Sequence, residues 1–258
     1  MNFMKSLIKK IATSNIGVKL RNITGIKPVP IFINKKLKVG SISDAYLWRT
    51  DNGYKTTYRY TDILNLFYKE EGSYLDLTFY SKDNKFLKKI TLHKLNFTNE
   101  LLIDKDFLNG IEGFGVFYVF YGSKTNSRSD LILSSRGYVG FSYKGNLSSF
   151  VHSNLYAKYQ SLDGSFESSD IIQTSLFENI YRIQNLFLNF TKCELFFSNP
   201  SSKKIKFSIN KDKYSLGVNC SIIIDISNKK EILITSKCMF LRPIIFNYKD
   251  DYYDVYHA

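Results

Sequence analysis

The chain has 258 residues, a net charge of +13, 44% hydrophobic residues and 23% charged residues. That balance can bury a core, which excludes a disordered polymer, and the length allows one large domain or two small ones. Aromatic residues reach 16%, with 21 Phe and 19 Tyr, while alanine occurs only at positions 12, 45, 157 and 258; residues suited to a pleated, half-buried surface dominate over the best helix former, so an all-β fold is expected.

The opening stretch, MNFMKSLIKKIATSNIG, sets Met4, Leu7, Ile8 and Ile11 at helical spacing and predicts a short amphipathic helix. Lys5, Lys9 and Lys10 interrupt any apolar run, which excludes a signal-peptide core and a membrane span. Such a helix either packs on the body of the protein or lies on an anionic membrane surface. GIKPVPIFINKKLKVG follows as an extended lead-in, since Pro28 and Pro30 break regular helix.

In DAYLWRTDNGY, Trp48 alternates with Tyr46 beside Asp44, Arg49 and Asp51, and is the only tryptophan. The pattern fits a core strand, or an aromatic platform for the C–H face of a sugar with planar polar groups at its rim. TDILNLFYKEE predicts one short helix capped by Thr61 or Asp62. SYLDLTFYS puts Leu75, Leu77 and Phe79 on one face and Asp76 and Thr78 on the other, a half-buried strand. FGVFYVFYG is apolar on both faces and predicts a central strand.

SSRGYVGFSYKGNLSSFVHSN reads as a closing strand running into a serine-rich crossover. Its GFSYKG differs from a nucleophile elbow, because the second glycine comes one position too late and no helical run follows. Residues 160–179 hold four acids, Asp163, Glu167, Asp170 and Glu178, without lysine or arginine, and DGSFESSD lacks the EF-hand pattern, so an acidic surface loop is expected. KKIKFSI, SIIIDIS and EILITS complete the predicted strands.

An internal repeat runs through the chain. YKTTYRYTD aligns with FENIYRIQN, DLTFYSKDNKFLKKI with ELFFSNPSSKKIKFSI, and RGYVGFSYK with RPIIFNYK, all in the same order. Arg59, Arg136, Arg182 and Arg242, four of the seven arginines, sit at matched positions. The expected fold is therefore two tandem, related antiparallel β-sandwich halves packed together, with the short N-terminal amphipathic helix. Its expected divisions are 1–40 (basic helix and lead-in), 41–145 (first repeat), 146–176 (crossover) and 177–258 (second repeat).

The run SDAYLWRTDNGYKTTYRYTD, with RGYVGFSY, FVHSN and FLRPIIFNY, resembles a group of uncharacterised bacterial proteins associated with surface-polysaccharide gene clusters. At fold level each half also resembles the small β-sandwiches typified by the sensory rhodopsin transducer, which have a similar aromatic strand, turn and closing arginine strand. The first resemblance implies a role in surface-glycan production; neither assigns catalytic residues.

The expected function is non-catalytic binding or accessory work in that setting, with Trp48, Arg49, Arg59, Arg136, His152 and Arg182 as candidate ligand-binding residues. Neither metal nor cofactor is expected: His93, His152 and His257 lack ligand spacing, Cys193, Cys220 and Cys238 match no zinc pattern, and no phosphate-binding loop occurs. Reduced thiols point to the cytoplasm, peripheral to the inner membrane through residues 1–22. Expected partners are an anionic glycan or membrane surface contacted by that basic segment, and a second copy of the chain; lysines scattered along the sequence weigh against a nucleic-acid footprint. The alternatives are a virion-like assembly protein, and an enzyme with its site between the halves around Arg136, His152 and Asp170.

Overall fold

A computed structural model describes residues 11, 14–24, 39–124, 133–134, 137–161, 164–168, 174–184, 190–226, 231–238, 241–250 and 252–257. Strands account for 62% and helices for 8%, in antiparallel sheets, so the all-β expectation holds. Met4, Leu7 and Ile8 of the predicted helix, and lead-in residues 25–38, lie outside the described residues. The described helix α1 (Asn15–Thr24) begins behind Ser14, whose hydroxyl accepts from the Gly17 N–H at 3.1 Å. Among the described residues, no helix is long and apolar enough to cross a membrane.

The chain continues through β1 (Val39–Arg49), β2 (Tyr54–Tyr60), α2 (Ile63–Tyr68), β3 (Ser73–Ser81), β4 (Phe86–His93), β5 (Asn99–Ile103) and β6 (Phe114–Ser123). Next come β7 (Leu133–Ser134), β8 (Gly137–Tyr143), β9 (Ser149–Val151), β10 (Asn154–Ser161) and β11 (Phe166–Ser168). The remainder holds β12 (Thr174–Gln184), β13 (Lys192–Ser198), β14 (Ile205–Ile209), β15 (Asp212–Leu216), β16 (Ser221–Asp225), β17 (Glu231–Cys238), β18 (Ile244–Lys249) and β19 (Tyr252–His257).

Several local expectations hold. Asp62 caps α2, accepting from the Asn65 N–H at 3.0 Å, and Lys69 closes it in a left-handed conformation. Leu75, Leu77 and Phe79 are fully buried along β3. β6 is central, between β1 and β3, with Val116 to Tyr121 buried on both faces. The serine-rich stretch is itself partly strand: β10 pairs with the first part of β1, whose last residues pair with β6. Where the β1–β6 ladder stops, the Ser43 and Ser41 hydroxyls accept from the Val119 and Tyr121 N–H groups, at 2.7 and 3.0 Å, so those buried donors stay satisfied.

Four sheets result. Sheet I runs β11-β10-β1-β6-β3-β4, with β7 beside β1; sheet II runs β5-β2-β8-β9; sheet III runs β12-β17-β14-β15; sheet IV runs β16-β13-β18-β19. Substituting β12–β17 for β1–β6 turns the order β1-β6-β3-β4 of sheet I into sheet III. Taking β18 and β19 for β8 and β9 likewise turns sheet II into sheet IV. The strand order thus recurs, but the sequence alignment is displaced. Tyr58-Arg59 lies on β2, whereas Tyr181-Arg182 lies on β12, the counterpart of β1. Likewise the hairpin β3–β4 corresponds to β14–β15 and not to β13–β14; of the three matches, RGYVGFSYK with RPIIFNYK alone falls on equivalent strands, β8 and β18. Amphipathic strands share a period of two, so short matches between them cannot say which strand answers to which.

The expectation of two sandwiches is corrected. The four sheets form a four-bladed, propeller-like arrangement. The reason lies in sheet IV, which is covered on both faces. Phe196, Ile244 and Phe246 enter the core formed with sheets I and II, while Leu195, Phe197 and Ile245 enter a second core with sheet III. A sheet of a free-standing sandwich leaves one face to water; this one joins both cores. Sheets II and IV meet where β9 approaches β19. There the Ser149 hydroxyl donates to the Val255 carbonyl at 3.0 Å and accepts from the Val255 N–H at 3.2 Å. The Tyr253 hydroxyl reaches the Phe141 carbonyl across the same seam.

Gly115 marks the tightest point of sheet I. A Cβ there would collide with the Tyr80 carbonyl oxygen and the Trp48 indole. Gly115→Ala is expected to cost about 3 kcal/mol through overpacking, read as a lowered urea midpoint with an unchanged slope; a wild-type midpoint would contradict this packing.

Candidate functional site

Two of the six candidate ligand residues are withdrawn by their burial. Trp48 is 1% exposed, and its indole N–H donates to the Tyr80 carbonyl at 2.9 Å. It presents no ring face to a sugar and belongs to the core. Arg49 is 2% exposed, and all of its charge is engaged inside the protein.

The Arg49 environment is built by the turn from β1 to β2. The Arg49 N–H donates to the Thr56 hydroxyl at 2.8 Å, and that hydroxyl donates back to the Arg49 carbonyl at 2.9 Å. The guanidinium then lies over the Tyr54 ring, 4.2 Å from its centroid, and 5.1 Å from that of Phe246. It pairs with Asp51 at 2.8 Å and with Glu194 of β13 at 2.6 Å. The Tyr54 hydroxyl donates to the Tyr248 hydroxyl at 2.5 Å, and Tyr248 donates to Glu194 at 2.6 Å; Lys192 holds the other Glu194 oxygen at 2.6 Å. Burial pulls against the arginine's charge, but Asp51, Tyr248 and Glu194 hold its pKa above the ordinary value. Burial likewise favours a neutral Glu194, yet Arg49, Lys192 and Tyr248 bring its pKa down to about 2. Burial pushes the Tyr248 hydroxyl up, so it remains a donor. This group joins sheets I, II and IV.

Two other candidates are brought together on the outer face of sheet II. The inner face buries Tyr54, Tyr58, Val139 and Phe141. By alternation Arg59 points out, with Glu100 of β5 on one side and Tyr138 of β8 on the other. Arg59 pairs with Glu100, the two side chains being about half exposed. Its guanidinium lies 4.1 Å over the Phe150 ring of β9. Phe150 has that position because its ladder partner is Gly140, where a Cβ would strike the ring. His152, just past β9, is exposed and packs against Tyr138 with ring centroids 4.4 Å apart. Tyr138 itself is 47% exposed.

The face thus offers an exposed tyrosine and histidine in contact, a half-buried phenylalanine under an arginine, and a carboxylate beside them. Flat rings can stack on the apolar side of a sugar, while guanidinium, carboxylate and imidazole can bond its hydroxyl groups. Glu100, Tyr138 and Phe150 were missed from sequence. They come from three different strands, and only the sheet order assembles them around Arg59.

Arg182 lies elsewhere, on sheet III, paired with Glu231 at 2.8 Å. Arg136 and Asp170 lie outside the described residues. The proposed enzyme site between the halves loses its histidine, since His152 faces outward from sheet II. Among the described residues, no three His, Cys, Asp or Glu side chains gather as a metal site requires. No protein-family model matches the chain, and no curated protein matches it.

Glu194→Gln removes the carboxylate that compensates a buried guanidinium, and is expected to cost about 3–5 kcal/mol at pH 7. Because the folded pKa of Glu194 is depressed, its contribution is complete above the unfolded value near 4.5 and is lost as pH falls through about 2. The stability gap between wild type and variant should therefore narrow between pH 5 and pH 2 in urea titrations. A gap that stays constant across that range would refute the assignment.

Proposed function

We propose that this protein is a non-catalytic carbohydrate-binding accessory protein acting in surface-glycan production, with the outer face of sheet II as its binding face. The observation that carries this reading is the assembly of Arg59, Glu100, Tyr138, Phe150 and His152 on one exposed sheet surface. Arg59 and Glu100 offset each other's charge, so the face suits a neutral sugar ring more than an ion. The resemblance of SDAYLWRTDNGYKTTYRYTD and FVHSN to proteins of surface-polysaccharide clusters supports the same sphere. In this reading the protein works in the cytoplasm, and the basic residues Lys5, Lys9 and Lys10 carry it to the anionic inner face of the membrane.

Affinity electrophoresis against neutral hexose polymers tests the sugar face. Tyr138→Ala and Phe150→Ala are each expected to weaken binding by about threefold to tenfold, and retention that both variants leave unchanged would remove this face from consideration. Vesicles containing phosphatidylserine test the membrane arm: replacing Lys5, Lys9 and Lys10 together by alanine should abolish sedimentation with vesicles and leave sugar binding intact.

A further inference from the structure

Sheet III carries a groove that is far from neutral. β14 buries Ile205, Phe207 and Ile209 and turns Lys206 and Ser208 outward. Ladder pairing sets Lys206 beside Ser215 and Ser208 beside Lys213 on β15, and Ser208 beside Thr235 on β17. Lys237 stands two residues beyond Thr235 on the same face, and Lys204 enters immediately before β14. These residues line a groove of about 640 Å³.

The backbone around the groove is firmly held. Asn199 donates to the carbonyls of Lys203 and Gly217, at 2.8 and 2.7 Å, and fixes the approach to β14. The hairpin from β14 to β15 turns through Asn210 and Lys211, both at positive φ. Asn210 ties it to β17 by accepting from the Leu233 N–H at 2.8 Å.

Charge is what distinguishes the groove. Among the described residues, Lys204, Lys206, Lys213 and Lys237 make no ion pair, whereas the exposed Arg59 and Arg182 each hold a glutamate. Among the described residues, Glu178 is the one acid in the lining. Four ammonium groups, against one carboxylate in the described lining, are thus interleaved with the hydroxyls of Ser208, Ser215 and Thr235. Like charges gathered in a cleft raise the local concentration of an oppositely charged partner.

We propose that this groove binds an acidic polysaccharide, with the lysines on its anionic groups and the hydroxyls on its sugar hydroxyls. Single-stranded nucleic acid fits less well, because it needs exposed rings for base stacking. Of the groove's rings, Phe207 is buried, and Tyr214 lies parallel to it at 5.6 Å. Among the described residues, the lining also holds no guanidinium for paired contacts to phosphate or base edges. The proposal concerns a different sheet from the neutral-sugar face and stands whether or not that face binds.

The test is affinity electrophoresis and calorimetry of the full chain at low salt, with polygalacturonate, dextran and single-stranded DNA as probes. Polygalacturonate should bind, more tightly than DNA, and dextran should not bind through this groove. Lys206→Gln, Lys213→Gln and Lys237→Gln are each expected to weaken polygalacturonate binding by about twofold to fivefold, and the triple variant should lose it. Lys85→Gln, on the β3–β4 turn, serves as a charge control and should bind as wild type. Unchanged binding by the triple variant, an equal loss in Lys85→Gln, or tighter binding of DNA than of polygalacturonate would each overturn the proposal.

Discussion

The molecule is organised around one buried pair of charges. Arg49 and Glu194 are 145 positions apart in sequence, and their contact joins the end of β1 to the middle of β13. Asp51 and Lys192 give each ion one partner close by in sequence, and the contact between the halves supplies the rest of the compensation that a buried charge needs. Tyr54 and Tyr248 complete the requirement by supplying hydroxyls in a fixed order, and the Tyr54 and Phe246 rings cover the guanidinium. Apolar contacts around this group are compatible with many small shifts of one sheet over another; a set of short, directional hydrogen bonds is not. The network thus sets the register between sheets that greasy surfaces alone would leave loose.

Strand alternation was readable directly, and SYLDLTFYS and KKIKFSI bury the predicted residues. The double-sided apolar pattern also worked for β6. The same signal in KCELFFS and IIFNYK, read as firmly, would have shown that β13 and β18 belong to a sheet covered on both sides. What could not be read was pairing. Arg49 carries no local mark of burial, since its neighbours Trp48 and Asp51 suit a surface as well as a core, and Glu194 is remote. Arg59 and His152 were picked out individually, but Tyr138 and Phe150 meet them only through the order β2-β8-β9. The repeat shows the same limit: the order of strands recurs, while short amphipathic matches linked β2 to the wrong partner.

The lysines teach a related lesson. Along the chain they look dispersed, which weighs against a nucleic-acid footprint. Lys206, Lys213 and Lys237 sit on three different strands, yet the order β17-β14-β15 sets them on one face. Dispersal in sequence is no guide to dispersal in space once strands are laid side by side. The two outer surfaces consequently differ in character: sheet II presents rings with offset charges, and sheet III presents ammonium groups in excess over carboxylates, with hydroxyls between them.

The seam between β9 and β19 bears on how the ends of the sheets are covered. Open strand edges recruit further strands, and proteins commonly blunt them. Here the β9 edge of sheet II and the β19 edge of sheet IV lie against each other, with Ser149 and Tyr253 as the clasps. Either half released from its neighbour would carry a bare rim of amide groups, and the nearest available cover would be the identical rim of another molecule. The doubled strand order therefore brings two sheet ends together at one seam and withdraws both from pairing with another chain.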